Sequence, residues 1–184
     1  MSDLIFLFRS QLYYVRTDFE IKTRWCVVAG ILISNIVYAD DELMGKVTAV
    51  LDGNTVEVSN PNNEVYKILF AGIDSPELGQ EFGDKAKKFL EKMILKKEVV
   101  VQFKEKDRLG NHLAVIRIRG KVDPRIGLLK KGLAWTSEKN PSSNLEQYRR
   151  EAQLKRRGLW SQEKPIPPWT YRRQQTMLQP KSSH

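Results

Sequence analysis

Hydrophobic and polar residues alternate along the chain between positions 44 and 58, with the period of two that predicts β-strands. Residues 44–51 and 55–58 form two such runs, and the residues Asp-Gly-Asn between them predict a tight turn. Polar residues at 59–64 predict a loop. The stretch 65–77 begins with β-branched, aromatic and apolar side chains and ends in a turn before Pro76. The chain is thus expected to open with a hairpin and a third strand.

The pattern changes to three- and four-residue spacing at 78–95, which predicts a helix. Alternation returns at 99–103 and 113–118, on either side of a polar loop. Helices are predicted at 124–131 and from Ser142 or Ser143 to about residue 157. This order predicts an α+β fold, in which a five-stranded antiparallel OB-fold barrel carries three α-helices.

An apolar run of 14 residues, 25–38, lies near the start of the chain behind Lys22 and Arg24. A membrane span needs about 20 residues, so the run has the length of the apolar region of a signal peptide. Val37-Tyr38-Ala39 follows an A-x-A-like pattern, with an aliphatic and a small residue at 37 and 39, which predicts cleavage after Ala39. Residues 1–39 are therefore expected to direct export to the periplasm or the medium, with an uncleaved membrane anchor or a buried helix as the alternatives.

The net charge of +9 and the pI near 9.6 indicate a polyanionic partner, such as nucleic acid, anionic lipid or acidic glycan. The single cysteine, Cys26, excludes an intramolecular disulfide, so the fold depends on packing. The last residues, 174–184, are rich in Ser, Gln and Lys and are predicted to form a disordered tail.

Two carboxylates, Asp74 and Glu77, stand at the turn that ends the third strand. A strand that places two acids at a sheet edge suits a metal ligand and a base. An acidic surface turn without chemistry is the ordinary alternative for such a pair.

Three sequence blocks resemble the signature blocks of the staphylococcal nuclease (thermonuclease) family, and they occur in the same order. They are Asp52-Gly53-Asn54-Thr55, Gly72-Ile73-Asp74-Ser75-Pro76-Glu77 and Asp107-Arg108-Leu109-Gly110-Asn111-His112-Leu113-Ala114. The resemblance covers about residues 44–173, which places one such domain at 40–173. It implies Ca²⁺-dependent cleavage of the DNA and RNA backbone.

The resemblance also implies site roles, of which this chain keeps only some. Asp74 matches a metal-binding aspartate, whose neighbour Ser75 can lend its carbonyl, and Glu77 matches the residue that orients or activates water. The second metal position holds Asn54, an amide in place of a carboxylate. The two phosphate-gripping arginines are replaced, by Leu69 and Asn111.

These replacements predict a weaker site. Ca²⁺ affinity depends on the charge of its ligands, so Ca²⁺ binding is expected to be weak or absent with Asn54. Loss of one transition-state donor typically costs ~3 kcal/mol, or about 10²–10³ in rate. Lys67 and Arg108 are the candidate substitutes, as catalytic and as phosphate-binding cations.

The favoured hypothesis is an exported, monomeric member of the family that binds DNA or RNA, preferably single-stranded, with cleavage weakened or lost. Charge and aromatic stacking suit that binding, and the candidate residues for it are Lys67, Arg108, Tyr148, Arg172 and Arg173. One alternative is an active Ca²⁺-dependent endonuclease with a remodelled site. The other is a protein-interaction or envelope-assembly module on a borrowed fold.

Overall fold

The structure is a computed structural model that describes residues 42–106, 110–139 and 141–178. The predicted signal segment 1–39 lies outside these ranges, as do Arg108 and residues 179–184. No helix within the described ranges is long and apolar enough to cross a membrane.

Seven strands and four α-helices occur among the described residues. The strands are β1 Glu42–Val50, β2 Thr55–Ser59, β3 Val65–Phe70, β4 Ile73–Asp74, β5 Glu98–Lys106, β6 His112–Ile118 and β7 Trp135–Thr136. The helices are α1 Gly83–Ile94, α2 Pro124–Lys130, α3 Ser143–Leu154 and α4 Pro168–Leu178, with a 3₁₀ turn at Gly158–Ser161. Five strands close a barrel in the order β1-β2-β3-β6-β5, and β4 pairs with β7 outside it. The predicted five-stranded barrel with helices is confirmed.

One pair in the barrel is parallel. Leu69 of β3 lies opposite Leu113 of β6 in a parallel ladder, whereas the other barrel pairs are antiparallel. The expectation of an antiparallel barrel was wrong at this pair. After α1, strand β5 runs opposite to β3, and β6 is antiparallel to β5, so β6 runs in the same direction as β3.

The barrel interior is filled by alternate residues of its strands. Val56, Val58, Ile68 and Phe70 point inward with at most 2% of their surface exposed. Full burial of such a side chain contributes about 1.5–3 kcal/mol. The period-two pattern of the sequence therefore corresponds to the inner face of the barrel.

The third predicted strand is broken before it reaches the acids. Gly72, with φ of +80°, ends β3, and Ile73 and Asp74 form the separate strand β4, in which Asp74 pairs with Trp135 of β7. Left-handed backbone is favoured at glycine. Asp74 is thus carried by a two-residue strand outside the barrel, rather than by the end of a long barrel strand.

Helix α1 begins at Gly83, five residues later than predicted. Gly79 and Phe82 have φ of +88° and +71°, which an α-helix excludes. Residues 78–82 therefore form a turn between Glu77 and the start of α1. The predicted start of α2 at Pro124 is confirmed, and the side chain of Asp123 caps it by accepting a hydrogen bond from the Arg125 backbone N–H at 3.0 Å.

A fourth helix, α4, corrects the prediction of three. It spans Pro168–Leu178, so residues 174–178 are helical and do not belong to a disordered tail. Pro168 stands in the first turn, where proline is tolerated. The polar composition concealed the helix, which packs on the domain through Trp169 at its start.

Candidate active site

Asp74 ends β4, and Glu77 lies close to it in the turn that follows. Their side chains are 17% and 35% exposed, respectively, so Asp74 is the more enclosed of the two. A partly buried carboxylate beside a more exposed one can serve as an anchor for a cation and as a proton acceptor. The prediction that these acids share one turn holds in the structure.

The β1–β2 hairpin turn packs directly on this acidic turn. Ser75 is 1% exposed, and its Oγ donates a hydrogen bond to the carbonyl of Gly53 at 3.0 Å. A Cβ on Gly53 would lie 2.6 Å from the Cβ of Ser75. Only glycine allows this approach, so Gly53 fixes the distance between the hairpin and the turn that carries Asp74.

The side-chain oxygen of Asn54 makes a structural contact with the acidic turn. Its Oδ1 accepts a hydrogen bond from the Ser75 backbone N–H at 3.2 Å. Its own backbone N–H donates to Oδ1 of Asp52 at 2.8 Å. Asp52, to which sequence reasoning gave no role, is the acid of the hairpin whose charge acts on Asp74. Its place in the first signature block was the available signal.

Arg125 supports the same region from α2. Its Nη1 donates to the carbonyl of Ala71 at 2.7 Å, and its Nη2 pairs with Oδ2 of Asp123 at 2.6 Å. The guanidinium thus holds the bend between β3 and β4. Sequence reasoning missed this residue, since an arginine inside a short helix carries no signal of its distant acceptor.

Arg172 reaches the acids from α4. Its Nη1 and Nη2 donate to Oδ1 and Oδ2 of Asp74 at 3.1 and 2.7 Å, and Nη1 also donates to Oε1 of Glu77 at 2.5 Å. Bidentate, charge-assisted hydrogen bonds of this kind are among the strongest in proteins. The sequence suggested Arg172 as a nucleic-acid contact but not its position on the two acids.

The electrostatics of this group reflect burial and pairing together. Burial raises the pKa of Asp74; the hydrogen bonds and charge of Arg172 lower it, while Glu77 and Asp52 raise it further, and the net shift is upward. The pKa of Arg172 is raised, first by its hydrogen bonds to Asp74 and then by those to Glu77. The guanidinium of Arg172 favours the charged carboxylate of Asp74, but the loss of water around Asp74 has the larger effect, so the pKa of Asp74 is raised.

Helix α4 is held on the acidic turn by contacts besides the arginine. Gln80 accepts from the Glu77 backbone N–H at 3.2 Å and donates to the carbonyl of Ile166 at 2.6 Å. The rings of Trp135 and Trp169 lie 5.7 Å apart, edge to face. The position of Arg172 therefore follows from packing at the start of the helix.

Asp74 and Arg172 line a groove of about 1120 Å³. Its lining includes Leu69, which occupies one predicted arginine position and has no hydrogen-bond donor on its side chain. Six basic residues line the groove, Lys104, Lys106, Arg125, Lys139, Arg172 and Arg173, against three acidic ones, Asp74, Glu105 and Glu138. The groove is thus lined by an excess of positive charge around the acidic turn.

The remaining predicted residues lie elsewhere. Lys67 is exposed on the same face of β3 as Leu69, but it does not occur among the described residues that line the groove.

Tyr148 lies on α3 against the core, with Nζ of Lys130 4.9 Å from its ring. Tyr148, Trp169 and Tyr171 are half-buried, so each is only partly accessible for stacking on a base. Asn111 directly precedes β6, and Arg108 lies outside the described residues.

The residues present do not fit Ca²⁺ in this arrangement. Ca²⁺ takes six to eight oxygen ligands. Within residues 42–106, 110–139 and 141–178, no three or more His, Cys, Asp or Glu side chains are grouped so as to hold a metal ion. Asp74 and Glu77 face Arg172, and the Asn54 oxygen faces Ser75.

Comparison with known proteins gives a consistent result. Residues 67–162 match the family described as "Staphylococcal nuclease homologue". An uncharacterized endonuclease of Escherichia coli O157:H7 is 32% identical over 132 residues, which cover 71% of this chain and 86% of that protein. The micrococcal nuclease of Shigella flexneri is 31% identical over 158 residues, or 80% of this chain and 90% of that protein. The matched barrel, the Asp74–Glu77 turn and these relatives together establish that the chain belongs to the staphylococcal nuclease family.

Proposed function

We propose that this chain binds nucleic acid, preferably single-stranded, in the groove beside Asp74 and Arg172, and that its phosphodiester cleavage is weakened or lost. The observation that carries the proposal is the composition of the groove wall. Basic side chains surround the acidic turn, whereas Leu69 stands where the family has a phosphate-binding arginine. Binding by charge survives such a change, but stabilisation of a charged transition state does not.

The hairpin side of the site supports the same proposal. Asn54 brings no charge, and its side-chain oxygen accepts a hydrogen bond from Ser75. Family members typically depend on Ca²⁺, and here Ca²⁺ affinity is expected to be weak because the ligand set has lost a carboxylate. The chain is proposed to act as a monomer, since one domain contains both the groove and the acidic turn.

The test combines a binding and a cleavage measurement on the full chain. A 5′-fluorescein-labelled single-stranded DNA of about 20 nucleotides is titrated by fluorescence anisotropy in EDTA at low and at physiological salt, beside the matching RNA and duplex. We expect submillimolar binding of the single strands that weakens steeply as salt rises. Absence of binding at physiological salt would favour the protein-interaction module.

Cleavage of the same oligonucleotides is then followed on denaturing gels with Ca²⁺, with Glu77→Gln as the control. The second candidate function is an active Ca²⁺-dependent endonuclease, which is favoured by the retained pair Asp74 and Glu77 in contact with Arg172. Rapid cleavage that Glu77→Gln abolishes would establish that candidate. Turnover at least 10²-fold below that of the Shigella flexneri relative is the result expected from the loss of one donor.

Export is proposed separately for residues 1–39. Its basis is the apolar run 25–38, which ends in the A-x-A-like pattern Val37-Tyr38-Ala39. Expression of the full chain in a bacterium and N-terminal sequencing of the product should give a chain that begins at Asp40. A product that keeps residues 1–39 in the membrane fraction would establish an anchor instead.

A further inference from the structure

We propose that the guanidinium of Arg172 takes the place of the divalent cation at the Asp74–Glu77 site, so that this chain binds phosphate groups of nucleic acid without a metal. The inference deepens the proposed function, on which it rests for the class of ligand. Its basis is the contact set of one side chain on α4.

Arg172 engages the oxygens that a cation would need. Both carboxylate oxygens of Asp74 accept from it, at 3.1 and 2.7 Å, and Oε1 of Glu77 accepts at 2.5 Å. The side-chain oxygen of Asn54 accepts from the Ser75 backbone. A metal ion would therefore compete with three charge-assisted hydrogen bonds at the two carboxylates that would be its first ligands.

The arginine also retains capacity for a ligand. A guanidinium has five N–H donors, and three of them point to the two acids. Among the described residues, the Nε–H and one Nη2–H have no acceptor, and the side chain is 48% exposed and lines the groove. Arginine matches phosphate oxygens as a fork and stays charged at any physiological pH. The acids thus orient the guanidinium, which presents its free edge to a phosphate.

The position of the arginine is built into the fold. Trp169, three residues earlier on α4, packs on Trp135, which is the cross-strand partner of Asp74. Gln80 joins the backbone at Glu77 to that at Ile166, just before the helix. The next residue, Arg173, also lines the groove but lies 4.0 Å from Glu138 and makes no ion pair with Asp74 or Glu77 in the described ranges. Arg173 is therefore a matched control of equal charge.

The first measurement is the affinity of the full chain for a 5′-fluorescein-labelled single-stranded DNA, in EDTA and in Ca²⁺ at matched ionic strength. The wild-type affinity should agree within about twofold between the two buffers. Arg172→Ala should bind about tenfold more weakly in EDTA and recover at least about threefold with Ca²⁺, because the freed acids then take the ion. Arg172→Lys, which keeps the charge but not the fork, should lie between them.

Arg173→Ala should weaken binding without any response to Ca²⁺, since the acids stay paired with Arg172. The proposal that Arg172 takes the place of the metal ion is overturned if Ca²⁺ tightens wild-type binding by threefold or more. It is also overturned if Arg172→Ala binds as well as the wild type in EDTA, or if Ca²⁺ leaves that variant unchanged. Far-ultraviolet circular dichroism establishes that each variant is folded.

The second measurement does not use nucleic acid. Thermal unfolding of the full chain is followed with EDTA and with about 10 mM CaCl₂, since a ligand that binds the folded state raises Tm. The Tm should rise by about 2–4 °C for Arg172→Ala and stay constant for the wild type and Arg173→Ala. An equal rise of Tm in the wild type, or no rise in Arg172→Ala, contradicts the proposal that Arg172 takes the place of the metal ion. If the wild type fails to bind DNA, the proposed function fails while this comparison still decides the role of Arg172.

Discussion

Asp74 and Trp135 are cross-strand partners in the β4–β7 pair. Trp135 packs edge to face on Trp160 on one side and on Trp169 of α4 on the other, with ring centroids 4.4 and 5.7 Å apart. A single tryptophan thus connects the strand that carries the acid with the helix that carries its arginine. The integrity of the site depends on this aromatic contact as well as on the ion pair.

Trp169→Ala should loosen α4 and lower the free energy of unfolding by about 2 kcal/mol, because an aromatic pair and its buried area are lost. Urea denaturation followed by circular dichroism measures the loss. The variant should also acquire the Ca²⁺-dependent rise in Tm expected for Arg172→Ala, since Arg172 leaves the acids when the helix detaches.

The control is Met177→Ala on the same helix, where the side chain is 82% exposed. It should change stability by less than about 0.5 kcal/mol. Equal stability of Trp169→Ala and Met177→Ala would mean that α4 is held by something other than the tryptophan contact.

The sequence was sufficient for the barrel because each inward residue is specified locally. Alternation at Val56, Val58 and Ile68 requires no knowledge of partner strands. The acidic turn likewise follows from four adjacent residues, Asp74-Ser75-Pro76-Glu77. The parallel closure of β3 on β6 and the break at Gly72 depend on how distant strands meet. A period-two pattern contains no information on strand direction.

The contact of Arg172 with Asp74 was beyond sequence reasoning for a physical reason. The two residues are 98 positions apart, and α4 has a weak amphipathic pattern in a polar tail. Its helical state comes from docking through Trp169, which is tertiary and overrides composition. The matched family region also ends at residue 162, before this helix begins.

Gly53→Ala should destabilise the protein by about 1–3 kcal/mol through overpacking. The new Cβ would lie 2.6 Å from the Ser75 Cβ and 2.8 Å from the Ala86 Cβ. Relief requires the acidic turn to move, so the affinity for single-stranded DNA should fall as well. Chemical denaturation and anisotropy measure the two effects. Asn62→Ala, in the exposed β2–β3 loop, is the control and should leave both unchanged; a wild-type-like Gly53→Ala would refute the close packing.

Glu146 should make folding stability depend on pH. Arg149, through its hydrogen bonds, lowers the pKa of Glu146 to about 2 from an ordinary value of 4.5, and Thr136 of β7 adds a hydrogen bond of 2.9 Å. A lowered folded-state pKa contributes stability that is fully present above the unfolded value of 4.5 and is lost as the pH falls through about 2. Because Glu146 is 22% exposed, solvent screening reduces the contribution to about 1–2 kcal/mol.

Glu146→Gln should therefore be less stable than the wild type by that amount at pH 7. The difference should shrink below pH 4.5 and vanish near pH 2. Urea midpoints at several pH values measure it, and Glu151→Gln, on the exposed side of the same helix, should show little change. A Glu146→Gln deficit that persists unchanged at low pH would show that the ion pair with Arg149 is not its cause.

Leu69→Arg tests whether the groove has lost a phosphate contact at this position. Leu69 lines the groove beside Asp74, so an arginine there gains a bidentate donor for a phosphate oxygen. We expect the affinity for single-stranded DNA in EDTA to rise about five- to tenfold, with a steeper dependence on salt by about one unit of slope.

Val65→Arg is the matched control, because residue 65 lies on the same outer face of β3 and is 58% exposed. It adds the same charge four residues away from the site and should raise affinity by no more than about twofold. Equal gains from both variants would mean that net charge alone governs binding and that the groove has no particular place for the phosphate.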